Sequence, residues 1–288
     1  MSASGSVQWP SAANRIWTFN WTLADAPDAE GVAITSAFFR GREVFYKASL
    51  PSLRVQYDGL CGPFKDPLNF NVAQPNPVNK VNVYTIGFWG FLAVVVEGYY
   101  TIGNYKLTQR WYFWNDGTIA PRLSSAGLQC NYNHRHHVYW RFDFDIDGAG
   151  NDLALEYNTT TPDLGWGPGW HTKQHEIVRL KNPATRRCWA ILNKGGNYPG
   201  YMIVPGPNDG AADPFSTGDL WVLRYHGAED QHGRQGSATN DDMAPLLNWE
   251  PTDGQDLVLW YCAHLHHEAA DGGAELHTVG PNLIPFRY

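Results

Sequence analysis

The chain has 288 residues, enough to bury one large core, with 17% charged and 14% aromatic residues and a formal net charge of −7. That acidic balance, with no Lys/Arg run, excludes nucleic acid as the partner. The greasiest stretch, residues 87–96, is far shorter than the ~20 apolar residues of a membrane-spanning helix, so no membrane partner is expected.

Met1 to Pro10 has neither a basic start nor an apolar run, so no secretory signal is expected and a cytoplasmic location is the simpler expectation. From there strand signals dominate. Residues 31–40 and 42–47 flank Gly41 as a hairpin, and residues 81–86 and 91–97 read as buried strands. Residues 107–114 and 118–123 form a second hairpin turning at Asp116-Gly117. Further strands are predicted at 138–146, 153–157, 176–180, 188–192, 200–204, 220–225 and 256–262, with a helical turn at 211–217. Residues 73–79 and 227–240 read as loops too short to be domain linkers, and the 29 Gly and 19 Pro fit a turn-rich fold. The predicted architecture is all-β, a single large β-sandwich domain over residues 1–288.

The four cysteines, Cys61, Cys130, Cys188 and Cys262, show no CxxC spacing, and all-free thiols and a disulfide both remain open. Asn-X-Thr sequons stand at Asn20 and Asn158.

The chemistry concentrates in histidines. His134 and His136, at i and i+2 on an extended segment, share one face, as alternation along a strand requires. A second cluster, His264-Leu-His266-His267, follows a strand more than a hundred residues later. Ligands drawn from distant strands mark a catalytic metal site, because structural zinc uses compact knuckles. His137 and His266 alternate to the other face, and His264 shares the face of His266, so these three are neighbours rather than ligands. His171 and His175 have helical metal-pair spacing but lie in an expected loop.

These motifs, in order, resemble the catalytic domain of the copper amine oxidases. Thr101-Ile-Gly-Asn104-Tyr105, then Trp111 to Ile119 and Gly127, is similar to the family's cofactor strand. His134-Arg-His136 and Arg141-Phe-Asp143-Phe-Asp145-Ile-Asp147-Gly148 are similar to its His-X-His pair and the acidic run after it. Leu220 to Tyr225, Asp256 to Trp260 with His266-His267, and Val44 to Leu50 with Val55-Gln-Tyr57 resemble further family segments. The resemblance implies copper held by His134, His136 and His267, and a peripheral calcium-like site at Asp143, Asp145 and Asp256 with the carbonyls of Phe144 and Leu257. It implies that Tyr105 is the precursor of topaquinone, with Asn104 beside it and Tyr57 bonded to the quinone. It also implies a homodimer, dioxygen as co-substrate and a small primary amine as substrate. Trp111, Trp114 and Trp140, mostly core residues, are near enough in sequence to line a pocket for an aromatic amine.

The departures from the pattern are specific. Lys106 follows the tyrosine where the family has an acid, and Asn71 falls where the family has its aspartate base. A carboxamide cannot take a substrate proton, and a general base contributes ~10²–10⁴-fold, so Asp66 or Asp58 would have to substitute. The segment carrying the family's disulfide, part of the hairpin between Tyr105 and His134, and the small N-terminal domains are expected to be missing. Two activities follow as alternatives. One is a quinone-dependent amine oxidase; the other is a copper enzyme with unmodified Tyr105, acting as oxidase, oxygenase or cyclase in small-molecule biosynthesis.

Overall fold

The structure is a computed structural model that describes residues 1–25, 29–159, 167–230 and 243–288. Its strands run, in chain order, β1 (Ser2–Ser11), β2 (Asn14–Ala24), β3 (Val32–Phe39), β4 (Arg42–Tyr57) and β5 (Phe64–Lys65). Next come β6 (Val81–Phe88), β7 (Phe91–Ile102), β8 (Tyr105–Trp114), β9 (Ile119–Ala126) and β10 (His134–Phe144). They are followed by β11 (Asp152–Asn158), β12 (Gly169–Lys173), β13 (Ile177–Arg179), β14 (Cys188–Asn193) and β15 (Gly200–Val204). The last are β16 (Leu220–Arg224), β17 (Leu257–His267), β18 (His277–Val279) and β19 (Asn282–Phe286).

These strands form two antiparallel sheets. One has the order β1-β2-β3-β4-β10-β17-β16-β13, with β5 beside β4. The other has the order β12-β11-β14-β15-β19-β9-β8-β7-β6, with β18 beside β9. Their inner faces interdigitate in one core: Trp17 meets Phe113, Trp111 meets Trp140 edge to face at 5.2 Å, and Phe144 stacks on Tyr201. The all-β sandwich expected from the strand signals is therefore the observed fold. The Gly41 hairpin forms as read, since Arg40 at φ 51° and Gly41 at φ 82° both occupy the left-handed region that tight hairpins use.

Several sequence expectations need correction. β1 and β2, paired over ten positions, fall outside the predicted strands, although Trp17, Phe19, Trp21 and Leu23 alternate with Thr18, Asn20 and Thr22 along β2. The turn expected at 211–217 forms at Pro214-Phe215, closed by the isolated bridge between Asp213 and Ser216, and is not helical. His171 lies on β12 and not in a loop. β17 runs on through His267 instead of ending at Cys262, so the second histidine cluster is strand, not post-strand loop. Most of the 227–240 segment lies outside the described residues. Trp111 and Trp140 are fully buried core, and the Trp111 indole N–H donates to Val32 O at 2.8 Å, so neither lines a substrate pocket. Of the two sequons, Asn20 is exposed, whereas Asn158 is buried and accepts from Thr185 and Arg187.

Cys61 and Cys130 form a disulfide across a sequence separation of 69 residues. It ties the chain just after β4 to the chain just before β10. Loop-closure entropy of that length corresponds to about 4 kcal/mol in the chain-entropy picture. Replacing Trp140, 0% exposed, by alanine is expected to cost ~3–5 kcal/mol in urea unfolding, while Trp89→Ala at a 95% exposed hairpin tip shifts stability by no more than about 0.5 kcal/mol.

Candidate metal centre

The register of three neighbouring strands builds the site. On β10, His134 stands directly opposite Tyr57 of β4 and directly opposite His267 of β17. One row across the sheet therefore carries Tyr57, His134 and His267, and alternation puts His136 on the same face two residues on. The opposite sheet supplies Tyr105, the first residue of β8, with Ser125 of β9 and His277 of β18. The Tyr105 ring lies 5.5 Å from the His134 ring and 4.8 Å from the His136 ring, centroid to centroid. The Tyr57 and Tyr105 hydroxyls hydrogen-bond to each other. Gly127 (φ 105°) makes this approach possible, because a Cβ there would sit 2.2 Å from Asn104 O and 2.9 Å from Tyr105 Cα.

The His134 ring lies 5.1 Å from the His136 ring and 4.9 Å from the His267 ring, centroid to centroid, but one donor atom from each of the three does not come within 4.8 Å of the other two. All three are completely buried. Each ring turns one nitrogen to an oxygen: His134 Nδ1 to Tyr132 O at 3.2 Å, His136 Nε2 to Ser125 Oγ at 3.5 Å, His267 Nε2 to Gly272 O at 2.9 Å. The other nitrogen of each, His134 Nε2, His136 Nδ1 and His267 Nδ1, is buried without a hydrogen-bond partner. Donating one N–H to an oxygen fixes the tautomer and leaves a lone pair on the far nitrogen, which is how metal-ligating histidines are held. Burial pushes His134 down to about 4 and His136 well below the usual histidine range, and the neighbouring imidazoles add to both shifts. The His134 and His136 rings are thus neutral, the form that binds a metal. These residues fit a divalent transition metal, and a three-imidazole set suits copper.

His277 was not singled out by the sequence. Its ring stacks 4.6 Å from His267, and His267, Asp271 and His277 each place a donor atom within 4.8 Å of the other two. That grouping is tighter than the His134/His136/His267 set as the His267 ring stands, with its Nε2 engaged by Gly272. A lone histidine between Leu276 and Thr278 has no spacing signal, and only the pairing of β18 with β9 delivers it.

The remaining site residues divide. Lys106 is exposed, on the face of β8 opposite Tyr105, so its charge points away from the tyrosine. Asn104 is exposed; its backbone N–H donates to Gln129 and its side chain to Leu128 O. Asn71 lies at the surface and donates to Asp25 at 2.5 Å, while Asp58 is exposed beside Arg135 at 3.5 Å. Asp66 differs from both. It is 8% exposed, its Oδ2 has no hydrogen-bond partner, and its charge acts on both the Tyr57 and the Tyr105 hydroxyls. Burial raises its carboxyl to about 7. Burial also raises both tyrosines, with the Tyr57 hydrogen bond adding to the rise at Tyr105, so both phenols are neutral at physiological pH.

Asp143, Asp145 and Asp256 converge, with one oxygen from each within 4.8 Å of the others. Burial first, then mutual repulsion, raises Asp143 and Asp145 to about 7. The buried Arg141 sits among them, 3.2 Å from Asp143 and 2.8 Å from Asp230.

A family profile described as copper amine oxidase, enzyme domain, matches residues 126–272, half of the chain. The chain belongs to the copper amine oxidase family. The matched span holds the three histidines and the acidic trio, while Tyr57, Asp66 and Tyr105 precede it. Histamine oxidase of Arthrobacter globiformis is 28% identical over 225 residues, 60% of this chain and 32% of that protein. Peroxisomal N-methylputrescine oxidase 1 of Nicotiana tabacum is 24% identical over 222 residues, 58% of this chain and 28% of that protein. The chain thus spans about a third of the length of the curated relatives it matches. Among solved structures, the copper-containing benzylamine oxidase of Hansenula polymorpha superposes with a TM-score of 0.73 at 19% identity, over 94% of this chain and 58% of that one. Pichia pastoris lysyl oxidase gives 0.71 at 16% identity, over 95% and 51%. These likenesses bear on the fold.

Replacing His136 by alanine should lower tightly bound copper by one equivalent in an equilibrium dialysis assay, and His266→Ala, on the exposed face, should leave it unchanged.

Proposed function

We propose that this chain is a copper-dependent oxidase of primary amines that works through a quinone made from Tyr105, within a single catalytic domain spanning residues 1–288. The observation that carries this reading is the placement of the Tyr105 ring against His134 and His136, whose inward nitrogens lack partners. A copper ion held by His134, His136 and His267 would sit beside the phenol and supply redox chemistry with dioxygen. The reaction turns RCH₂NH₂, O₂ and H₂O into RCHO, NH₃ and H₂O₂.

The protein's own residues take definite parts in this scheme. Tyr57 fixes the oxygen of Tyr105 from the neighbouring sheet and so orients the ring. Asp66 takes the substrate's α-proton in place of the carboxamide at Asn71. A base must be deprotonated, so kcat/KM should rise with pH through about 7, the value to which burial raises Asp66. Asp66→Asn is expected to lower kcat/KM by ~10²–10⁴-fold and to remove that limb of the profile. An unchanged profile in Asp66→Asn would assign the base elsewhere.

The neutral Tyr105 phenol, bonded to Tyr57, favours a second reading, a copper enzyme with an unmodified tyrosine acting in small-molecule biosynthesis. The two separate in a mass spectrum of the tryptic peptide ending at Lys106, after apo-protein meets copper in air. A mass shift fitting topaquinone at Tyr105 is expected; an unmodified peptide from copper-loaded protein selects the second reading. The same proposal includes a calcium ion at Asp143, Asp145 and Asp256. It also includes a homodimer, for which the exposed Phe88, Trp89 and Phe91 at the β6–β7 tip offer apolar surface.

A further inference from the structure

The strands that carry the copper ligands bring a second donor set together on their other face. His137 of β10 stands directly opposite His264 of β17, and Cys262 lies two residues back on the same face of β17. His137 and Cys262 are 0% exposed and His264 is 1% exposed. A donor atom from each lies within 4.8 Å of the other two. His137 Nδ1 is 2.8 Å from His264 Nδ1, and His264 Nδ1 is 3.8 Å from Cys262 Sγ. Cys262 takes no part in a disulfide.

The outer nitrogens show why the two Nδ1 atoms need something between them. His264 Nε2 lies 3.0 Å from Asp219, which Lys181 anchors at 3.1 Å, and His137 Nε2 lies 3.7 Å from Asp213. The carboxylate beside its Nε2 favours the Nε2–H tautomer of His264, leaving its Nδ1 as an acceptor. The two Nδ1 atoms then share one proton across 2.8 Å in a buried pocket with the thiol alongside. A cation can take the place of that shared proton, with His137 then turning its ring proton to Nε2 on the side of Asp213, while Asp219 already orients the His264 ring for it. A tetrahedral ion with bonds of about 2.1 Å to nitrogen and about 2.3 Å to sulfur spans donor edges of roughly 3.3–3.6 Å. The observed separations of 2.8 and 3.8 Å bracket those edges, so shifts of a few tenths of an ångström seat it.

We propose that His137, His264 and Cys262 form a second metal site, on the outer face of the sheet, for a thiophilic divalent cation of the zinc type. Binding releases the Cys262 thiol proton to solvent, so affinity rises with pH. The site is separate from the three-histidine centre and does not rest on the amine oxidase reading. It contributes a sulfur ligand, which the copper centre lacks, and its role is to lock β10 to β17 from behind. That role would hold His134 and His267 in register.

The experiment is a titration of chelator-stripped full chain with Co²⁺, a spectroscopic stand-in for Zn²⁺. A thiolate-to-cobalt charge-transfer band in the near ultraviolet should grow with the added metal and bleach when Zn²⁺ displaces it. Cys188→Ser should keep the band, while Cys262→Ser and His264→Gln should lose it. No such band in wild-type protein that has bound Co²⁺ at its histidine centre overturns the proposal, and so does a band that survives Cys262→Ser. Because the wild-type spectrum decides by itself, a variant that fails to fold does not obscure the result.

Discussion

The register between β4, β10 and β17 is the constraint on which the rest of the molecule depends. It sets Tyr57, His134 and His267 in one row, and the period of two along β10 adds His136 to that row while sending His137 to the far side. A slip of one residue along β10 would exchange its two faces, turning His134 and His136 away from the tyrosines. The Cys61–Cys130 bridge joins the chain beside Tyr57 to the chain beside His134, so it guards the same alignment from the loop end.

Burial then determines the chemistry that this alignment makes available. The inner histidines are kept neutral by desolvation and by one another, whereas the same desolvation retains protons on carboxylates and phenols. Desolvation thus keeps the His134 and His136 lone pairs free well into the acid range, next to a neutral phenol. Asp66 belongs to this balance: one buried carboxylate near two hydroxyls, poised near neutrality by its surroundings. The surface carboxamide at Asn71 and the exposed Asp58 lie outside that environment, and their partners are Asp25 and Arg135.

The strand-rich class and the central site were legible because both rest on local signals. Alternation, turn residues such as Arg40-Gly41, and the His-X-His spacing each act within a few residues. β1, an edge strand with Ser, Ala and Gly through its first half, carries little local signal, whereas β2 alternates Trp17, Phe19, Trp21 and Leu23 with polar residues and was legible although not predicted. The tryptophans show the same limit. Closeness of Trp111 and Trp140 to the site in sequence suggested a substrate wall, but inward alternation puts both in the sandwich core.

By itself, the sequence determined that His134 and His136 share a face, because the backbone dictates side-chain direction over short distances. Only the tertiary structure decided what those faces meet. The pairing of β18 with β9 brings His277 to His267, and the packing of one sheet on the other sets Tyr105 on His136. Likewise, His137 and His264 looked like bystanders while the single face of interest was the copper face. Their partnership with Cys262 arises from cross-strand register, a relation between residues more than a hundred positions apart that no local pattern encodes.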